Sequence, residues 1–188
     1  MKKKGARERI LETAGDLFAR NGYALVGINE IIAKSETAKA SFYQHFKSKE
    51  LLCAEWLRSM HERSVKKHDT ILASDKSPGR KTKDYFAELK KWLIGNDFRG
   101  CPYTNTTSML STDAPAIREQ VEIHKLFIRD FFVELAQGIT SGSNAHQLGS
   151  TLFLLYSGAT AEAQNVRSVW PVESATQAAL KLVEEASG

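Results

Sequence analysis

The stretch "INEIIAKSETAKASFYQHFKSKELL", residues 28–52, decides how this chain folds. Ile28, Ile31 and Ile32 make a short apolar face, "SET" at 35–37 interrupts it, and Phe42 and Phe46 recur at i, i+4 in the next segment. This is the pattern of two short helices joined by a tight turn. The two phenylalanines take the inward side of a helix over about 38–45, which leaves Lys39, Ala40, Ser41, Tyr43 and His45 facing outward. No carboxylate stands between Glu36 and Glu50. A helix face of this composition suits a polyanion.

Upstream, Ile10, Leu11, Ala14, Leu17 and Phe18 form one helical stripe, and "RNG" at 20–22 supplies a stop, so a first helix is expected from about 6 to 21. Gly27 is read as the N-cap of a helix over about 28–34, and Ser48 as the N-cap of a long fourth helix that fades in the polar stretch "ERSVKKHDT" at 62–70. "SDKSPGRKT" at 74–82 is the best boundary in the chain. Beyond it, Tyr85, Phe86, Leu89, Trp92 and Leu93 mark a fifth helix that stops near "GND" at 95–97, and a short sixth follows "RGCP" at 99–102. Asp113 and Pro115 open a seventh that runs to Gly138. "TSGSN" at 140–144 reads as a loop, 145–167 as a helix apolar around most of its circumference, and about 173–186 as the last helix. Alternating strand patterns are absent, so the expected class is all-α, with about nine helices.

Composition excludes several classes. The chain has 188 residues, 42% hydrophobic and 26% charged, which is ordinary for a packed globular protein. Its longest apolar runs fall far short of the ~20 residues that cross a bilayer. The basic start "MKKKGARERI" lacks an apolar segment after it and does not read as a secretion signal, so a cytoplasmic location without membrane association is expected. Cys53 and Cys101 are too few for a disulfide framework or a thiolate metal site, and neither CxxC nor HExxH occurs. There is no Gly-rich phosphate loop and no nucleophile elbow; no enzymatic activity, metal or cofactor is expected. Residues 1–68 carry 14 Lys and Arg against 8 Asp and Glu, whereas residues 69–188 carry 12 against 14. The net charges of +6 and −2 assign the polyanion partner to the N-terminal third.

Residues 28–52 resemble the DNA-binding segment of the TetR family of bacterial transcriptional regulators. The recognition helix in that family typically ends in a Tyr-x-x-Phe-x-x-Lys run followed by Leu, and Tyr43, Phe46, Lys49 and Leu52 stand in those places. With the first helix, the resemblance covers roughly residues 6–52. It implies a helix-turn-helix DNA-binding domain over 1–50 and a helical effector-binding and dimerisation domain over 51–188. Lys39 and Ser41, with Ala40 beside them, are expected at base edges; Tyr43, His45 and Lys49 are expected at phosphates, with Gly27 at the start of the second helix. Two positions depart from the family: Gly27 lacks the usual Thr or Ser hydroxyl, and Glu36 occupies a turn position that is often glycine.

The resemblance further implies a homodimer, each subunit giving two helices to the interface. Small residues over 149–163 suit close helix approach, and Leu152→Glu is expected to give monomers. Partners are then double-stranded operator DNA, a second copy and an unidentified small-molecule effector. Candidate effector contacts are Trp92, Tyr103, Phe127, Phe131, Tyr156 and Trp170, from helices of residues 80–170. Cys101, in "RGCPYTN", joins them as a candidate sensor, because some TetR-like regulators have a similar Gly-Cys there and respond to electrophiles or oxidants. His124, on an apolar stripe, reads as a hydrogen-bonded core residue. The expected function is a dimeric one-component regulator, a repressor, released from a palindromic operator by its effector. The alternative is an interaction protein of the same fold that has lost specific DNA binding, to which Gly27 and Glu36 point.

Overall fold

A computed structural model describes residues 4–110 and 113–187. Among them are nine helices and no strand: α1 Ala6–Asn21, α2 Ile28–Lys34, α3 Lys39–His45, α4 Lys49–Leu72, α5 Pro78–Gly95, α6 Pro102–Ser108, α7 Pro115–Gln137, α8 Gly142–Val166 and α9 Trp170–Ser187. By backbone proximity the chain divides into two compact units. One comprises the residues up to Arg63 with Pro102–His124, the other Ser64–Cys101 with the residues from Lys125 onward.

The first unit is built on α1, whose Ile10, Ala14, Leu17 and Phe18 are buried. The helix ends where Gly22 turns to φ 83° and donates its N–H to Phe18 O. Gly15 lets α4 approach closely: a Cβ there would lie 2.6 Å from the Trp56 ring. Ile31 of α2, Phe42 of α3, and Leu52 and Leu57 of α4 are fully buried. The α2–α3 turn keeps the left-handed conformation without a glycine, since Glu36 has φ 52°. Arg9 of α1 pins it, donating from Nε to Ser35 O at 3.0 Å and from Nη2 to Glu36 O at 3.1 Å. Glu50 of α4 accepts from the Ala116 N–H at 3.0 Å and so satisfies a donor in the first turn of α7.

The second unit packs α5, α8 and α9, with the later parts of α4 and α7, around Phe86, Leu93, Phe132, Leu152, Val172 and Ala179. Ser77 Oγ accepts from the Arg80 N–H and Pro78 takes the first turn, so α5 starts inside what reads as a linker. Ion pairs Lys90–Glu173 and Arg167–Asp97 tie α5 and the residues after it to α9 and the end of α8.

Several expectations change. Helix α4 does not fade at 62–70 but continues to Leu72, because His61, Ser64, Val65 and His68 keep a narrow covered face while its Glu, Arg and Lys residues are good helix formers. Helix α8 begins at Gly142, within the expected loop, and α9 begins at Trp170, three residues early. Nor is α8 covered all round: Leu154 is 66% exposed, and Gly158, Glu162 and Asn165 lie open. Leu152, by contrast, is fully buried in its own chain, so a glutamate there would disrupt the unit before it reported on any dimer. Gly149 likewise serves intrachain packing, since a Cβ on it would lie 2.6 Å from the backbone nitrogen of Val133 in α7.

Candidate nucleic-acid interface

Helix α3 presents two different sides. Phe42 and Phe46 face inward at 0% and 3% exposure, the Arg7 guanidinium lies 5.3 Å over the Phe46 ring, and Arg7 also pairs with Glu55. Lys39, Ala40, Tyr43, Gln44 and His45 are exposed, and Ser41 is half-buried. Two buried rings at i, i+4 therefore turn Lys39, Tyr43, Gln44 and His45 outward.

Beside α3 lies an open concavity of about 460 Å³, lined by Gly27, Ile28, Asn29, Lys39, Tyr43 and Lys49. It unites four of the seven residues expected at DNA. No carboxylate lines it, and two lysines do, so its charge suits an anion. Lys49 has a second task. Its ammonium donates to Tyr23 O and Val26 O, both at 3.0 Å, and sits 4.3 Å over the Tyr23 ring, which holds the α1–α2 loop in place. Burial holds this ammonium below the usual lysine range. Ala40 and Ser41 sit on the opening turns of α3 outside the concavity. His45 lines a separate depression with Lys47, Leu51 and Arg58. Asn29, which lines the concavity, lies within residues 28–52 but was not singled out there. Sequence reading missed the turn-pinning Arg9, which lies on no apolar stripe and in no motif, so no local signal marks it.

The effector candidates separate. Phe127, Phe131 and Tyr156 gather in the second unit around His68 and Tyr85. His68 Nδ1 lies 2.7 Å from Ser64 O, and since a carbonyl only accepts, Nδ1 carries a proton; Nε2 is hydrogen-bonded to the Tyr85 hydroxyl at 2.8 Å. The Phe131 ring stands 4.5 Å from His68 at 88°, and Tyr156 lies 5.4 Å from Tyr85. Burial pushes the phenols of Tyr85 and Tyr156 up, so both are neutral donors at physiological pH. Cys101 is half-buried, with the Lys125 ammonium 3.6 Å from its sulfur. Tyr103 belongs to the first unit, where its hydroxyl donates to Leu57 O at 3.0 Å and its ring stacks on His124 at 3.7 Å. His124 in turn meets His61, Nδ1 to Nδ1, at 3.3 Å. Trp92 and Trp170 are 40% and 55% exposed. Among the described residues no group of three or more His, Cys, Asp or Glu could hold a metal ion, and no helix is long and apolar enough to cross a membrane.

Residues 10–55, which contain the helix-turn-helix and every residue lining this concavity, match the family described as "Bacterial regulatory proteins, tetR family". Its N-terminal domain is that of the TetR family of transcriptional regulators. It is 27% identical over 156 residues to the HTH-type transcriptional repressor DhaR of Mycobacterium sp. strain GP1, covering 81% of this chain and 76% of DhaR. To the HTH-type transcriptional repressor NemR of Escherichia coli K12 it is 25% identical over 181 residues, 90% of this chain and 89% of NemR. In fold it is similar to a TetR-family transcriptional regulator of Streptomyces coelicolor, with a TM-score of 0.87 and 23% identity over 97% of this chain and 96% of the other.

Proposed function

We propose that this TetR-family chain is a dimeric one-component repressor. Residues 1–50 bind a palindromic operator through the helix-turn-helix, and residues 51–188 dimerise and take up the small-molecule or electrophile effector that releases it. The observation that carries the DNA reading is the carboxylate-free concavity of Gly27, Lys39, Tyr43 and Lys49 beside the outward face of α3. Lys39 and Ser41 then meet base edges, Ala40 packs beside them, and Tyr43 and His45 meet phosphates. Lys49 keeps one N–H for a phosphate after its two loop carbonyls. Repression is supported by two relatives that bear that name.

Dimerisation is supported by the uncovered stripe of α8, where Leu154, Gly158 and Ala161 recur at helical spacing. Two copies would set recognition helices ~34–36 Å apart, one turn of DNA. The effector reading draws on the aromatic group of Phe127, Phe131 and Tyr156 around the hydrogen-bonded His68–Tyr85 pair, and on Cys101 beside Lys125. An enone or quinone would react there by addition: the Cys101 sulfur bonds to the electrophilic carbon, the C=C electron pair moves to the adjacent carbon, and the thiol proton ends there through solvent.

The test is fluorescence anisotropy with the chain's own upstream intergenic DNA and an unrelated duplex, across a salt series. Selective binding whose log affinity falls with log salt at about −0.9 per phosphate neutralised is expected. Equal, weak binding to both duplexes would sink this function in favour of an interaction protein that has lost specific DNA binding.

A further inference from the structure

A second hollow, of about 480 Å³, lies in the second unit between the end of α4, the turn after it and the exposed side of α5. Its charges do not balance: Lys67, Lys76, Lys81 and Lys91 line it against Asp84 and Glu88. Both carboxylates are engaged, Asp84 with Lys76 at 2.7 Å and Arg80 at 3.0 Å, Glu88 with Lys91 at 2.8 Å. The hydrogen bond from Lys76 foremost at Asp84, and that from Lys91 at Glu88, hold the two carboxyls below their usual range. Lys67 enters no hydrogen bond or ion pair among the described residues and acts on Glu88 only through its charge. Lys81 donates to Leu72 O at 2.7 Å and keeps two N–H groups.

The uncharged lining adds no donor. Thr70 and Ser74 give their hydroxyl protons to Lys66 O and Ile71 O, both at 2.8 Å, and the Tyr85 hydroxyl is bonded to His68. Ile71, Tyr85, Ala87 and the lysine stems supply apolar surface. A ligand would therefore meet ammonium donors above an apolar wall, two of them carrying charge that no carboxylate of the hollow offsets. We propose that this hollow binds a small apolar molecule bearing one carboxylate, its body against Ile71, Tyr85 and Ala87 and its carboxylate accepting from Lys67 and Lys81. The volume sits in the lower half of the range of small-molecule sites, ~300–1,000 Å³, and suits one or two rings rather than a peptide or a nucleic-acid strand. None of Cys101, Phe127, Phe131 and Tyr156 lines it, so the site is distinct from the effector group, although Tyr85 belongs to both. It stands whether or not the chain binds an operator.

The test uses the full-length chain and 4-benzoylbenzoate, a photoreactive aromatic carboxylate, with its uncharged amide as the control. Calorimetry should show the carboxylate binding about tenfold more tightly than the amide, and irradiation should label peptides within residues 67–91. Lys67→Gln combined with Lys81→Gln should remove that preference and leave amide binding unchanged; glutamine keeps a donor for Leu72 O, so the end of α4 stays anchored. Ala87→Glu, an exposed position given a good helix former, should weaken the carboxylate by a similar factor. Equal affinity for the two probes, labelling confined to residues 127–156, or a carboxylate preference that survives these substitutions would overturn the proposal. So would the failure of both probes to bind at millimolar concentration. Coincident thermal midpoints exclude unfolding as the cause, and Lys67→Gln alone, on an exposed and unbonded side chain, decides the matter if the double variant unfolds.

Discussion

Gly149 and Gly158 occupy one helix nine residues apart, yet alanine should act oppositely at the two. At 149 the added Cβ would lie 2.6 Å from Val133 N and 2.8 Å from Phe132 C, and closer still to Val133 Cα. Carbon contacts settle near ~3.5–4.0 Å, so α7 and α8 would have to part by about 1 Å. The obstacle is backbone, which cannot rotate aside, and the parting would loosen the packing of Phe132 and Leu152, both fully buried. The upper part of the overpacking range, about 3 kcal/mol, applies. Alanine's helix propensity returns about 1 kcal/mol, so Gly149→Ala should lose about 2 kcal/mol, a drop of roughly 4–8 °C in Tm for a chain of this size. At 158 nothing lies within 4 Å of the Cβ position, and only the gain of about 1 kcal/mol applies. Urea and thermal unfolding of both variants, at two protein concentrations, check this. A Gly149→Ala protein as stable as the wild type would refute the close α7–α8 approach. A loss of stability in Gly158→Ala that grows on dilution would mean that a partner's helix rests on that face.

Leu154→Glu should yield a folded monomer by sedimentation with its helical circular dichroism retained, whereas Leu152→Glu should lose helix content, because the first is 66% exposed and the second fully buried. Glu36→Gly should stabilise the chain by about 0.5–1 kcal/mol in urea titrations, since relief of a left-handed non-glycine residue, about 1–2 kcal/mol, exceeds glycine's entropic cost of about 0.5–1 kcal/mol. A stability unchanged or lowered would show that Glu36 is not strained. Cys101→Ser should abolish release from DNA by a quinone. DNA-binding anisotropy with the quinone added checks this, and Cys53 should stay unalkylated in the folded chain at neutral pH, because burial pushes its thiol up to about 12, as mass spectrometry of the alkylated protein will report.

The amino-acid sequence by itself determined the class and order of the helices, the turn between α2 and α3, and which side of α3 faces outward. Those features are local: a stripe at i, i+4, a glycine after a helix, two phenylalanines one turn apart. Even the errors were local, as at 62–70, where a polar run hid a narrow covered face around His68, and at Ser77–Pro78, a start signal set inside an apparent linker. Only the tertiary structure decided which faces meet. It drew Phe127, Phe131 and Tyr156 to His68 and Tyr85, sent Tyr103 to His124, turned Lys49 onto the carbonyls of Tyr23 and Val26, and used Gly149 against α7 rather than leaving it for a dimer. The physical reason is that periodicity fixes the direction of a side chain about its own helix axis, while its neighbours depend on how several helices cross, which is set by packing among residues far apart in the chain.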